Sequence, residues 1–146
     1  MKCPATCRRV RDLVDTSAWL EYDGATDSRV DRRLSELIET SDLVAVTEPV
    51  AMEVLAGARD DRREADLGRL LRRFELLGFD PVADFDGAVR IYRRCRTVGI
   101  TPRGMVDCMI AAVAWRREAT LLAHDADMDR VASVIGLRLD DASLRA

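Results

Sequence analysis

The chain is short of the residues that would announce several common chemistries. Among 146 residues there is one histidine, His124, and one lysine, Lys2; every other base is arginine. The cysteines are Cys3, Cys7, Cys95 and Cys108, with no CxxC pair, so with a single histidine a zinc site is not expected. Nor is a disulfide framework, in a chain of this size read as cytoplasmic. No apolar run approaches the ~20 residues of a membrane span. Met1 to Arg11 is basic but lacks the apolar stretch of a signal peptide. The net charge of −3 gives the chain as a whole no polyanion-binding character, although the arginines offer planar forks that suit phosphate.

What is present suits one domain. The composition is 48% hydrophobic and 34% charged, enough to bury one sizeable core. Residues 10–142 are expected to form it, with residues 1–9 a poorly ordered appendage. A strand is expected over Val10 to Asp15, followed by a short helix capped by Thr16 or Ser17. Ser28 is placed to cap a second helix, with Val30, Leu34, Leu37 and Ile38 at helical spacing. Leu43 to Val46 has the continuous apolar character of a buried parallel strand. Thr47-Glu48-Pro49 starts a helix that ends near Gly57. The periodicity of Leu67, Leu70, Leu71, Phe74 and Leu77 predicts a helix from Asp61 to Leu77, and Phe79 to Val82 a brief strand. A helix over 84–98 should turn Phe85, Val89 and Tyr92 inward. Met105 to Arg116 is apolar almost all round and should be central. Ala119 to Ala123 is expected as a strand, Asp125 to Ile135 as a helix and Leu137 to Leu139 as a last strand. Alternating strands and helices point to an α/β fold with a mainly parallel central sheet.

Four acids stand at boundaries of apolar segments: Asp15, Glu53, Asp107 and Asp125. A lone carboxylate is costly in such places unless a partner or a metal neutralises it. In open α/β sheets ligands gather beyond the carboxyl ends of the strands, and all four positions can reach that edge. An all-carboxylate set without nearby histidine or cysteine suits Mg2+ or Mn2+ rather than zinc, and Asp127 is a further oxygen donor beside Asp125. Such a site could orient a water and stabilise the leaving oxygen of a phosphodiester with no protein nucleophile. Taken singly, Asp15 serves equally as a helix cap, and Asp107 and Asp125 as first-turn acids favoured by the helix dipole. Glu53 is harder to dismiss, since it interrupts an apolar helix face. Thr16 and Ser17 lie where a hydroxyl could hold a ligand or water, or cap the helix. The run from Asp125 to Asp129 is not an EF-hand loop, because Arg130 and Gly136 occupy the positions that need Gly and Glu.

At these residues the chain resembles the PIN-domain ribonucleases, specifically the VapC-type toxins of type II toxin–antitoxin systems. The matching blocks are Leu13 to Trp19, Glu48 to Gly57, Val106 to Ala112 and His124 to Met128, in the family's order. The resemblance implies an α/β/α sandwich and Mg2+- or Mn2+-dependent endonucleolytic cleavage of RNA, tRNA or rRNA among the targets. It implies a homodimer and a cognate VapB-type antitoxin, whose arginine an acidic pocket would attract. It makes Asp15, Glu53, Asp107 and Asp125 the catalytic, metal-binding acids, with Asp127 beside them, and Arg103 a basic residue placed to meet phosphate. Departures are Gly104 where Ser is common after the arginine, Met128 where Phe or Tyr is common, and the extra residues 1–9. A non-catalytic PIN-fold RNA-binding module is the alternative. A phosphatase with Asp15 as nucleophile fits poorly: Ser17 replaces the second Asp, and Lys2 lies outside the folded region. Arg93, Arg94 and Arg96 offer a basic helix face that is either an RNA contact or simply solvated.

Overall fold

A computed structural model describes residues 9–146; the expectations for residues 1–8, including Cys3 and Cys7, lie outside the described residues. The elements run β1 (Asp12–Val14), α1 (Thr16–Asp23), α2 (Arg29–Thr40), β2 (Val44–Val46), α3 (Glu48–Ala56), α4 (Asp61–Leu71), β3 (Glu75–Leu76), α5 (Ala83–Thr97), α6 (Met105–Arg116), β4 (Thr120–Leu122) and α7 (Ala126–Ile135). The strands form one parallel sheet in the order β3-β2-β1-β4, with Leu13 level with Ala45 on one side and Leu121 on the other. Leu139 adds a single parallel bridge to Leu121, so the last expected strand is reduced to one pairing.

The chain leaves β1 toward β2 and β3, then returns across the sheet to β4 on the opposite side of β1. Right-handed crossovers put helices on one face for the outward journey and on the other for the return. The contacts agree: α1 packs on α2 and α3, and α3 on α4, while α5, α6 and α7 pack on one another. The result is an α/β/α sandwich. Its core holds Leu13 and Val14 of β1, Leu121 and Leu122 of β4, and Ile110 to Ala114 of α6, all buried. Helix α6 is buried on most sides, as its nearly all-round apolar sequence requires. No helix among the described residues is long and apolar enough to cross a membrane.

Several local expectations are corrected. Helix α4 stops at Leu71, not Leu77: Phe74 packs on the core from the bend before the next strand, its ring 5.5 Å from that of Trp19, and Leu77 is buried just after that strand. The strand at this edge is Glu75–Leu76, and residues 79–82 form a loop. In α5 the inward face is Asp84, Ala88, Ile91 and Cys95, whereas Phe85 and Val89 are exposed. An aspartate can occupy that face because Arg116 of α6 grips both its oxygens, at 2.9 and 2.7 Å. The cap of α1 is Asp15, which accepts from the Ser17 backbone N–H, rather than Thr16 or Ser17. Thr47 occupies the cap position of α3 but makes no side-chain capping bond. Ser28 caps α2 and Gly136 ends α7 in the left-handed conformation at φ 70°, both as the residue types suggest.

Candidate metal centre

Strands β1 and β4 are neighbours from which the chain departs in opposite directions, so their carboxyl ends bound the crevice where open α/β sheets place ligands. Asp15 follows β1 directly, and Asp125 lies three residues beyond the end of β4. Ser17 staples the two ends together. Its hydroxyl donates to Asp15 Oδ2 at 2.5 Å and accepts from the His124 backbone N–H at 2.8 Å. Glu53, in the middle of α3, accepts from the Thr16 hydroxyl at 2.7 Å. Asp107 projects from the first turn of α6. Thus the two hydroxyls expected to hold a ligand or water instead donate to carboxylates of the cluster.

The acids sense one another. Burial raises the Asp107 carboxyl to about 7, reinforced by the charges of Asp15, Asp125, Glu53 and Asp127. Asp15 is pushed up to about 6, again by burial first; the Ser17 bonds oppose the rise, and Glu53 and Asp125 add to it. All four expected acids, and Asp127, therefore act on one locus. Asp15 is 2% exposed, and its Oδ1 is buried with no hydrogen-bond partner. An anionic oxygen stranded in this way is what a cation would complete.

The donor set is carboxylate oxygen only, which fits a hard divalent ion. Cys95 and Cys108 are buried free thiols; burial raises both, Cys108 to about 12, so neither offers a thiolate. Among the described residues, however, no group of three or more such donors stands at metal-ligating separation. Two of the acids are engaged elsewhere. Thr16 holds Glu53, while Arg103 Nη2 reaches Asp125 Oδ1 at 2.5 Å. The Arg103 backbone N–H also donates to Asp127 Oδ2 at 3.1 Å. Arg103 thus lies at the cluster, as the resemblance implies, but grips acids. Arg93, Arg94 and Arg96 lie on the exposed side of α5, whose buried Cys95 is close enough to feel the Asp127 charge. A groove of about 520 Å3 between α5, α6 and α7, floored by Ile91 and Ala112, touches none of the acids.

A sequence profile of the PIN domain matches residues 13–134. The chain belongs to the PIN-domain family. It is 42% identical over 127 residues to the VapC ribonuclease Mb1587 of Mycobacterium bovis and to Ribonuclease VapC11 of Mycobacterium tuberculosis, spanning 86% of this chain and 95% of each relative. Within the PIN family it therefore groups with the VapC ribonucleases. Solved structures share its fold at low identity. The VapBC2 complex of Rickettsia felis bound to a promoter DNA fragment aligns with TM-score 0.72 and 17% identity, covering 90% of this chain and 98% of that one. The DNA-bound VapBC complex of Salmonella typhimurium aligns with TM-score 0.70 and 20% identity, covering 91% and 98%. The VapC20 toxin of M. tuberculosis, described as cleaving the sarcin–ricin loop, aligns with TM-score 0.62 and 19% identity, covering 86% and 95%. As PIN-domain proteins the VapC ribonucleases generally use a divalent metal, which agrees with the all-oxygen donor set.

Proposed function

We propose that this protein is a metal-dependent endoribonuclease, the toxin of a toxin–antitoxin pair, using Mg2+ or Mn2+ to cleave structured RNA of the tRNA or rRNA class. The observation that carries the reading is the convergence of Asp15, Glu53, Asp125 and Asp127 on Asp107, whose carboxyl they and burial hold at about 7. Five carboxylates are not gathered at one sheet edge for stability, since without a cation they repel. The 42% identity to VapC ribonucleases supports RNA as the substrate.

Asp15, Glu53, Asp107 and Asp125 would hold the cation, with Asp127 as a neighbouring oxygen donor. When bound, it supplies positive charge that acidifies a water and stabilises the leaving oxygen of the phosphodiester. The protein's part is positional. Ser17 fixes the Asp15 carboxylate through its hydroxyl and backbone N–H, and Thr16 fixes Glu53. Asp107 stands where the acids repel one another most, its carboxyl raised to about 7 by burial and then by Asp15, Asp125, Glu53 and Asp127, so a bound cation would be what keeps it ionised near neutral pH. Arg103, on the rim with its side chain 69% exposed, would meet the phosphate. Thr16 and Ser17 would then serve substrate indirectly, by ordering the acids.

A cognate antitoxin of the VapB type and a homodimeric toxin complete the proposal; the VapBC structures that share the fold support the antitoxin. The cytoplasm is the corresponding compartment. The test is cleavage of bulk tRNA and rRNA by purified protein with Mg2+ or Mn2+. Wild type should cut, while Asp15→Asn and Asp107→Asn should not. Equal cleavage by wild type and variants would sink the site. RNA binding without cleavage under either metal would favour a non-catalytic RNA-binding module.

A further inference from the structure

Among the described residues Arg103 is the cation that contacts the acid cluster, and its geometry is asymmetric. Its guanidinium is anchored on Asp125 at 2.5 Å, with Nε 3.9 Å from Asp127. The arginine side chain is 69% exposed, whereas those of Asp125 and Asp127 are 17% and 9% exposed. The acids are fixed: Asp125 accepts the Asp127 backbone N–H at 2.9 Å, and Asp127 accepts the Arg103 backbone N–H at 3.1 Å. The arm, by contrast, reaches through solvent from the loop that precedes α6, and its pair with Asp125 is its one close side-chain contact among the described residues.

We infer that Arg103 is an internal counter-ion that occupies the cation's place at Asp125 in the metal-free protein, and that arrival of a divalent ion releases its guanidinium to bind RNA phosphate. This rests on the metal-dependent reading above. One site thus carries two charge states with the same arginine, and RNA capture becomes coupled to metal entry. The exchange is downhill because a solvent-exposed ion pair is weak, whereas a divalent ion engages several carboxylates at once. The buried, unpartnered Asp15 Oδ1 marks the part of the cluster that the arginine does not satisfy. After release, the backbone bond to Asp127 keeps residue 103 at the rim. Its planar fork is then free to take two phosphate oxygens.

The test is Mn2+ binding by the full chain, read as free Mn2+ by electron paramagnetic resonance, with no RNA present. Arg103→Gln is exposed and should fold; it should bind Mn2+ about fivefold more tightly than wild type, the weight of an exposed ion pair. Arg145→Gln removes an equal charge from Asp129, outside the cluster, and should leave Mn2+ affinity unchanged. In parallel, the Arg103 Nη2–H resonance should be protected from solvent exchange by its bond to Asp125 in the metal-free protein and lose that protection on Mg2+ saturation. Wild type and Arg103→Gln binding Mn2+ equally, or Arg145→Gln matching Arg103→Gln, would overturn the inference while leaving the metal-dependent reading intact. Failure of both wild type and Arg103→Gln to bind Mn2+ would overturn the metal-dependent reading and the inference with it. Binding by Arg103→Gln alone would support the inference strongly.

Discussion

The Thr16 hydroxyl donates to Glu53 Oε1 at 2.7 Å, tying the first residue of α1 to the middle of α3. Glu53 sits on a helix whose other inward residues are apolar, so this bond sets where its carboxylate points. Removing it should loosen the acid without unfolding the protein. Thr16→Val should weaken Mn2+ binding by roughly tenfold, in the range seen when a partner that orients a ligand is lost. Thr16→Ser should restore most of it. Calorimetric titration of both variants checks the pair; equal loss in Thr16→Ser would show that the hydroxyl is not what holds Glu53.

Ser17 controls both the position and the charge of Asp15. Its hydroxyl and backbone N–H lower the Asp15 pKa against the upward push of burial. In metal-free Ser17→Ala the Asp15 carboxyl should titrate above its present value of about 6, shifting its pH profile followed by NMR to higher pH. The variant should also lose about 1–2 kcal/mol of stability, because the His124 backbone N–H is left without its acceptor. Thermal melts together with the pH profile separate the two effects.

Asp107 is a liability in the metal-free protein. Its folded-state pKa, about 7, lies above the unfolded 3.8, so the folded state binds the proton more tightly. The folded protein is therefore favoured by this group below pH ~4, and that contribution is lost as pH rises through about 7. Asp107→Asn should raise metal-free stability at pH 8 by about 2 kcal/mol, half of a full conversion because the residue is only part-buried. The gain should shrink toward pH 5. Chemical denaturation at the two pH values checks the sign, and a variant less stable at pH 8 would refute it.

Cation addition should reverse that cost. At 100 times its dissociation constant, Mn2+ should stabilise the wild type by about 2.7 kcal/mol. The same addition should do little for Asp15→Asn, whose ligand set is broken. Melting curves with and without Mn2+ give the difference directly.

Away from the site, Arg116 holds the buried carboxylate of Asp84, which is 1% exposed, and also donates to the Gly78 carbonyl at 2.8 Å. Arg116→Ala would leave that charge stranded and should cost about 3–5 kcal/mol. The double variant Arg116→Met with Asp84→Leu should recover most of the loss. Denaturation midpoints of the single and double variants decide it.

The same pair shows where sequence reasoning stops. The expected inward face of α5 was Phe85, Val89 and Tyr92, whereas Asp84 is buried on it by a partner thirty-two positions away on another helix, which local periodicity cannot show. Helix α4 seemed to continue to Leu77 because Phe74 and Leu77 do pack on the core, but Phe74 does so, partly buried, from the bend before β3 and Leu77 from just after it. By contrast, the parallel sheet and the central α6 were legible, since a continuous apolar run and an all-round apolar helix have few other homes. Asp15, Glu53, Asp107 and Asp125 were legible as expensive residues. Their mutual influence on Asp107 required the fold. The attachment of Arg103 to Asp125 had no sequence signal beyond proximity to Asp107.

Asp15 and Asp125 come from nearly opposite ends of the fold, and they meet only because β4 inserts beside β1 after the chain has crossed the whole sheet. A chain still emerging from the ribosome therefore has a first carboxylate but no completed cluster until its final third has been translated and docked. The topology leaves the acid cluster incomplete during synthesis until β4 docks beside β1. Any partner that must restrain it has until the closing strand to arrive.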